Sequence, residues 1–326
     1  MAPYRIAIQG AQTLLGKELH TALDERHFPV FSPKLLEAPH HAVTAEHTLA
    51  EFGGEAAVLE PCTAETLAEV ELCFLAGTAT EARDMAEIAP KSTLLVDLTG
   101  GLAGRESSVV AGLEAEAAAS RPPLIVVAHP AAQALAHVLD RLQSAGVIQT
   151  AAATVFEPAS QRGWAGIQEL QQQSTRLLSL QGLPEDVFGC QVAFDLRPRL
   201  GAQADPGLGA VRRRIAAELQ ALGVKSLPAV SVLQAPVFHG SLLSLYVCFR
   251  SPVAQDAVLA ALASSWLAPS TDYPDAISAA GADRIALGPI RSDPAGGYWL
   301  WAAVDNLRRT AFSAVDAALA ARAGAP

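Results

Sequence analysis

The first part of the chain alternates short apolar runs with segments in which apolar residues return every three or four positions. "YRIAIQG" (4–10), "FPVFS" (28–32), "ELCFLAG" (71–77), "TLLVDLTGG" (93–101) and "PLIVVAHP" (123–130) read as strands, and all but the second are bounded by Gly or Pro. "LLGKELHTALDE" (14–25) reads as the first helix, and further helices fit at 79–89 and 109–119. This alternation predicts βαβ units and a mostly parallel sheet covered on both faces. From about residue 150 the strands lengthen and take an antiparallel texture. "VIQTAAATVFEP" (147–158) leads into a helix, "GIQELQQQSTRLLSL" (166–180). "SVLQAPVF" (231–238) and "LLSLYVCF" (242–249) flank Gly240, read as a bend or bulge between paired strands. "LRPRLGAQADPGLG" (196–209) reads as a surface loop, "YWLWAAVDN" (298–306) as a last strand and "AFSAVDAALAARA" (311–323) as a last helix.

With 326 residues, 51% of them apolar and 17% charged, the chain is long enough for two domains with buried cores. A formal charge of −10 argues against nucleic acid and anionic membranes as partners, since both require a basic patch. The one basic cluster, Arg212-Arg213-Arg214, reads as the solvated end of an amphipathic helix. No export signal is expected, and no run approaches the roughly 20 apolar residues of a membrane span. Cys62, Cys73, Cys190 and Cys248 show no C-x-x-C spacing, which points to packed free thiols in a reducing cytoplasm. His40, His41 and His47 lack a helical i, i+4 ligand pair, so no metal is expected.

The best local motif is "GAQTLLG", Gly10 to Gly16, between a strand and a helix. Backbone amides at such a helix start can hold a pyrophosphate if the chain approaches closely. Gly10 permits the tight turn and Gly16 the helix–sheet contact, but Thr13 stands near the middle glycine of a full fingerprint. A dinucleotide site and a plain strand-to-helix turn both remain open at this point. The second strand runs into Ser32-Pro33-Lys34, which offers a lysine and no carboxylate. That reading favours a 2′-phosphate, hence NADP, over a bare ribose; a solvated surface lysine is the alternative.

Several segments, in order, resemble aspartate-semialdehyde dehydrogenase over nearly the whole chain. "IAIQGAQTLLGKEL" (6–19) resembles that family's Gly-Ala-Thr-Gly-x-x-Gly turn, and "CFLAG" (73–77) its second cofactor-contacting strand end. "VAHPAAQAL" (127–135) resembles Asn-Pro-Asn-Cys-Ser/Thr, and "PASQRGWAGIQELQQQS" (158–174) the Ser-Gly-Ala-Gly stretch with its following helix. "VAFDLRPRLG" (192–201), "QAPVFHGS" (234–241) and "AVDNLRR" (303–309) resemble the Ala-Phe-Asn-x-x-Pro, Arg-Val-Pro-Val-x-x-Gly-His and Asp-Asn-Leu-Arg segments.

The family's chemistry uses a cysteine thiolate, an acid–base histidine and arginines for substrate carboxylate and phosphate. By position the nucleophile is Ala132 and its asparagine neighbour Ala131; the histidine is Ser241, the substrate arginine Gln234, and the phosphate arginine falls near Ala103. No catalytic residue of the family type is therefore expected, and losing the nucleophile alone costs on the order of 10⁴ to 10⁶ in rate. The remaining acid–base groups are His129, Glu157 and His239; if 239–241 is extended, His239 enters the same pocket as Glu157.

The resemblance places NADP, bound weakly or lost, on Gly10, Gln12, Thr13, Leu14, Leu15, Gly16, Lys34, Ala76 and Gly77, with Ser160, Gly163 and Asn306 beside the nicotinamide. It implies an α/β fold. A Rossmann-like dinucleotide-binding domain, residues 1–128, is joined by the C-terminal helix 307–326. An α+β dimerisation domain with a mostly antiparallel sheet spans 129–306. A homodimer through that sheet, a regulatory protein partner and a cytoplasmic setting complete the expectation. The functional alternative is an active NAD(P)-dependent oxidoreductase with a mechanism that uses no cysteine.

Overall fold

The computed structural model describes residues 4–30, 33–37, 49–52, 54–113 and 122–323. They form two compact units, one of residues 1–128 with 310–326 and one of residues 129–309.

In the first unit the elements follow as β1 (Ile6–Gln9), α1 (Leu14–Glu25), β2 (Lys34–Leu36), β3 (Leu49–Phe52), β4 (Glu55–Val58), α2 (Ala64–Leu67), β5 (Leu72–Leu75), α3 (Ala79–Ile88), β6 (Leu94–Asp97), β7 (Ser108–Ala111) and β8 (Leu124–Val127). Six strands make one parallel sheet in the order β2-β1-β5-β6-β8-β7, and β3 and β4 form a separate antiparallel hairpin. The central strands are buried end to end, as a sheet covered on both faces requires. Alternate residues feed two cores: Leu72 and Phe74 meet Leu19, Phe312 and Val315, while Cys73 and Leu75 meet Leu67, Met85 and Leu102.

Two sequence expectations fail in this unit. The second strand is Lys34–Leu36, and of the expected 28–32 the described residues 28–30 form no strand, 31–32 lying outside the described residues. Phe28 is apolar because it plugs the core against the rings of Tyr4 and Phe74, at 5.8 and 6.1 Å. Pro29 has no N–H to give a ladder, and Val30 makes only an isolated bridge to Tyr4. The helix expected at 109–119 is a strand where it is described: Ser108–Ala111 pairs in parallel with β8, so β-branched Val109 and Val110 follow their tertiary partners Ile125 and Val126. Residues 114–119 lie outside the described residues.

The second unit runs α4 (Pro130–Gln143), β9 (Ile148–Glu157), a 3₁₀ turn (Ala159–Arg162), α5 (Gly163–Leu178), α6 (Leu208–Ala221), β10 (Ala229–Gln234), β11 (Ser241–Phe249), α7 (Gln255–Ala261), β12 (Leu267–Pro269), α8 (Ala276–Ala279), β13 (Ile285–Leu287), β14 (Arg291–Ser292) and β15 (Tyr298–Val304); α9 (Asn306–Ala323) then leads back into the first unit's residues. Its sheet is mixed, in the order β10-β9-β11-β15-β13-β12 with β14 beside β15. β10 and β11 do not pair with each other, contrary to the expectation. They flank β9, β10 in parallel and β11 antiparallel. Their connection is held instead by the turn after β9, where the Ala159 and Ser160 amides donate to the Val237 and Phe238 carbonyls.

Odd-numbered residues of β9 and β11 face inward: Val155, Leu243, Leu245 and Val247 are buried beneath α4. Each such aliphatic side chain contributes about 1.5–3 kcal/mol relative to exposure. Even-numbered residues of β9 and β11 face outward, and there Phe156 and Tyr246 meet Trp301 and Trp299 of β15, with ring centroids 5.8 Å (Phe156–Trp301) and 5.1 Å (Tyr246–Trp299) apart. The basic cluster also needs correcting. Arg212 and Arg213 are exposed on α6, but Arg214 turns back to bind Glu218 at 2.7 Å, one helical turn on. Among the described residues no helix is long and apolar enough to cross a membrane.

Candidate functional site

The turn between β1 and α1 is shaped by what cannot fit in it. Gly10 has φ +80°, and a Cβ there would lie 2.4 Å from the Gly77 amide nitrogen. A Cβ on Gly16 would lie 2.2 Å from the Gly10 carbonyl oxygen. Thr13 caps α1: its hydroxyl accepts the Gly16 N–H at 2.9 Å and donates inward to the carbonyls of Ala76 (2.8 Å) and Gly10 (2.9 Å). The side chain at the middle glycine position is thus folded into the turn, while Gln12 is exposed and Leu14 and Leu15 are half-buried in the first helical turn. The amides of that turn have no partner within the helix.

Sequence reasoning missed the lock across this turn. Buried Gln9 accepts the Gly77 N–H at 3.1 Å and donates to Glu81 Oε2 at 2.9 Å. Glu81 Oε2 also accepts the Thr78 N–H at 2.7 Å, completing a capping box on α3. The T-x-x-E spacing of Thr78 and Glu81 was the available signal. Lys34 is the first residue of β2, not the last of its strand, and its ammonium donates to the Thr66 carbonyl at 3.1 Å.

In the second unit, His129 caps α4 and Pro130 opens it, an arrangement suited to proline's missing N–H. His129 Nδ1 accepts the Ala131 N–H at 3.2 Å, so the ring carries its hydrogen on Nε2. The His129 backbone N–H donates to Glu218 Oε2 at 2.7 Å, and Arg214 holds the other oxygen of that carboxylate. His129 Nε2 lies 3.5 Å from Glu157 Oε2 with both side chains buried. Ala131 and Ala132 are wholly buried in the first turn of α4.

The strand register places Gln234, Glu157, Ser241 and Val304 in one row across the sheet, on the inward face. The Gln234 amide is spent on the backbone carbonyls of Glu157 and Ala235, at 2.8 and 3.2 Å. At this site His129 Nε2, Glu157 Oε1 and Ser241 Oγ are buried without a hydrogen-bond partner among the described residues. Such groups are costly unless paired.

His239 does not join Glu157. Gly240 has φ +88°, so 239–241 is not extended, and His239 and Ser241 diverge. His239 Nε2 lies 3.0 Å from Asp305 Oδ1, and its Nδ1 is within 3.2 Å of Ser160 Oγ. Ser160 donates to Asn306 Oδ1 at 3.2 Å; that oxygen also accepts the Gly240 N–H at 3.0 Å. Burial raises the Asp305 carboxyl, but the His239 hydrogen bond, the Gly281 and Arg308 amides and the charge of His239 outweigh it and hold it below the usual carboxylate range. Gly163, beside this network, has φ +65° and open space where a Cβ would stand.

Another group gave no sequence signal. Arg309 is buried, donates to Gln133 Oε1 at 2.7 Å and lies 4.3 Å over the Trp266 ring. It ties α4 to the start of α9. None of this replaces a thiolate. Burial pushes the Cys62 thiol up to about 11 and Cys73 further still, so neither ionises near neutrality. Among the described residues no group of His, Cys, Asp or Glu is set to hold a metal, and His40, His41 and His47 lie outside them.

Residues 139–309 match the dimerisation domain of semialdehyde dehydrogenase. A USG-1 protein homolog of Pseudomonas aeruginosa is 32% identical over 95% of this chain and 94% of its own length. The chain belongs to the semialdehyde dehydrogenase family. The structure of a probable aspartate-semialdehyde dehydrogenase from Pseudomonas aeruginosa superposes with a TM-score of 0.84 at 30% identity, covering 98% of each chain. Aspartate semialdehyde dehydrogenase with NADP from Candida albicans shares the fold, with a TM-score of 0.68 at 12% identity over 99% of each chain. The semialdehyde dehydrogenase fold is therefore kept over both units, with the Rossmann-like sheet in the first and the mixed sheet in the second.

Proposed function

We propose that this protein is a semialdehyde dehydrogenase relative that does not run the family's thiolate chemistry. It keeps a nicotinamide dinucleotide site and a dimer, and acts by binding and regulation. The observation that carries the reading is Ala132, wholly buried in the first turn of α4 at the position that the resemblance gives to the nucleophile. The surroundings support it. Gln234 is tied to backbone carbonyls, and Ser241 offers a hydroxyl where an acid–base histidine would be needed.

The turn of residues 10–16 supports the cofactor clause, since Gly10 and Gly16 leave the backbone bare and Thr13 turns its hydroxyl inward. Gly10, Gln12, Leu14, Leu15 and Gly16 would meet the pyrophosphate through backbone, and the resemblance gives Ser160, Gly163 and Asn306 to the nicotinamide. When bound, the dinucleotide supplies a hydride donor or acceptor. The outward aromatic face of the mixed sheet, with Phe156, Tyr246 and Trp301, supports a homodimer, because an apolar face of that kind is a liability when uncovered. The four free thiols fit a reducing cytoplasm.

The test joins substitution with binding. Ala132→Cys is expected to leave phosphate-dependent oxidation of aspartate semialdehyde still on the order of 10⁴-fold below an active relative, because the acid–base and carboxylate-binding positions stay empty. Recovery by that single change would sink the proposal. Saturable dinucleotide binding is expected below millimolar concentration, and its absence would remove the cofactor clause.

The unpaired His129 Nε2–H and Glu157 Oε1 favour one second reading, a dinucleotide-dependent oxidoreductase in which His129 gives a proton to a carbonyl oxygen and Glu157 orients it. Turnover of short aldehydes that fell sharply in both His129→Ala and Glu157→Gln would support this reading. Turnover that was absent, or unchanged in both variants, would exclude it.

A further inference from the structure

We propose that the dinucleotide site of residues 4–128 selects the dinucleotide without a 2′-phosphate, with Glu37 holding the diol of the adenosine ribose. The inference rests on the dinucleotide reading above and names the chemical class it takes. In a βαβ unit of this kind, the residue at the carboxyl end of the second strand meets that ribose. A carboxylate there accepts hydrogen bonds from the free hydroxyls, and a cation is needed if a phosphate replaces one.

The strand register decides which residue stands there. Gln9 pairs with Leu36, so Glu37 stands level with Gly10, the first residue of the turn. Adjacent strands lie about 4.8 Å apart, which places the two ends side by side. Lys34 pairs with Ala7, three residues earlier and roughly 10 Å back from that edge at ordinary strand rise. Its ammonium is already held by the Thr66 carbonyl.

The neighbourhood carries the same sign. Glu60 bridges to Leu36, and its carbonyl accepts the Glu37 N–H at 3.0 Å, so a second carboxylate belongs to the same edge. Neither carboxylate has a hydrogen bond or ion pair among the described residues. Between Lys34 and Arg83 the sequence holds no lysine or arginine, while glutamates recur throughout. Of the other cations in this unit, Arg26 binds Asp316 at 2.7 Å and Arg5 lies 3.5 Å from Glu71 at the amino end of β1, while Lys17 is exposed on α1 with no ion pair among the described residues. A phosphate adds almost two negative charges. Here it would meet the carboxylates of Glu37 and Glu60, with no cation paired to either among the described residues, whereas a ribose diol would satisfy Glu37.

The experiment is a fluorescence titration of the full chain with NADH and with NADPH at pH 8. NADH is expected to bind at least roughly tenfold more tightly, the effect of one hydrogen bond to a charged group. Glu37→Gln should erase most of that ratio and Glu37→Arg should reverse it, with circular dichroism confirming that both variants fold. Equal or tighter binding of NADPH, or a ratio unchanged in both variants, would overturn the inference, as would a preference for NADPH that disappears in Lys17→Ala. NADPH-preferring binding removes this inference and leaves the dinucleotide reading standing. Failure of both dinucleotides to bind below millimolar concentration removes the two together.

Discussion

Two strand-to-helix junctions in this protein have had different histories. The junction at 10–16 keeps glycines that the fold itself demands: a methyl on Gly10 would strike the Gly77 backbone and a methyl on Gly16 the Gly10 carbonyl. The junction at 129–132 has a proline and a helix start, with His129 as cap where the resemblance gives asparagine, and on the proposed reading its alanines stand where a reagent would be. Recognition through bare backbone is inseparable from packing, so the first junction persists for structural reasons whether or not it is used. Side-chain chemistry is separable from packing, so Ala132 fills the helical turn of the second whether or not a reagent belongs there. The persistence of the glycines therefore supports a binding site less strongly than an unpaired side chain does.

This comparison can be broken or sharpened by measurement. The largest effect is expected from Gly10→Ala, where a positive φ and a backbone collision combine to cost roughly 3 kcal/mol or more in urea denaturation. A mild loss would show that the turn can relax and that its glycine is kept for a ligand. Ser241→Ala removes a buried, unpartnered hydroxyl and is expected to raise stability by about 1 kcal/mol. Destabilisation instead would mean that the hydroxyl has a working partner and that the second region is less empty than its alanines suggest.

Asp305 gives a pH signature. Its folded-state pKa lies below the unfolded value, so its contribution is present at neutral pH and is lost as pH falls from about 4 through the lower folded value. Asp305→Asn should flatten that part of the acid-denaturation curve, and an unchanged acid limb would count against the His239–Asp305 contact. The smallest effect is expected from Lys34→Gln, under about 1 kcal/mol in stability and nil on dinucleotide affinity, since its ammonium serves the Thr66 carbonyl. A fall in NADPH affinity would restore Lys34 to the cofactor site.

Much of the fold was legible because it rests on local pattern. The apolar period of 14–25 and the buried runs at 72–75, 94–97 and 124–127 each announce their element. The failures came where a tertiary partner overrode that pattern. Phe28 was apolar for the core and not for a ladder, and Val109-Val110 became a sheet edge because β8 lay beside it. In the site, His129 and Glu157 were legible as polar groups near the changed loop, but their pairing was not. His239 was assigned to the wrong carboxylate because one left-handed residue, Gly240, reverses the direction that alternation along a strand implies. Gln9, Glu81, Glu218 and Arg309 were missed because their partners are remote in the chain.

By itself the sequence determined the family resemblance, the strand–helix alternation around the central strands of the first unit, and the absence of a thiol from the α4 junction, since these depend on residue identity and short-range periodicity. The tertiary structure alone decided which groups meet: Glu157 with His129, His239 with Asp305, and Glu37 rather than Lys34 level with the first turn. Those pairings follow from strand register and from single backbone dihedrals. A shift of one residue in the first, or a reversed φ in the second, changes every partner while leaving the local pattern untouched.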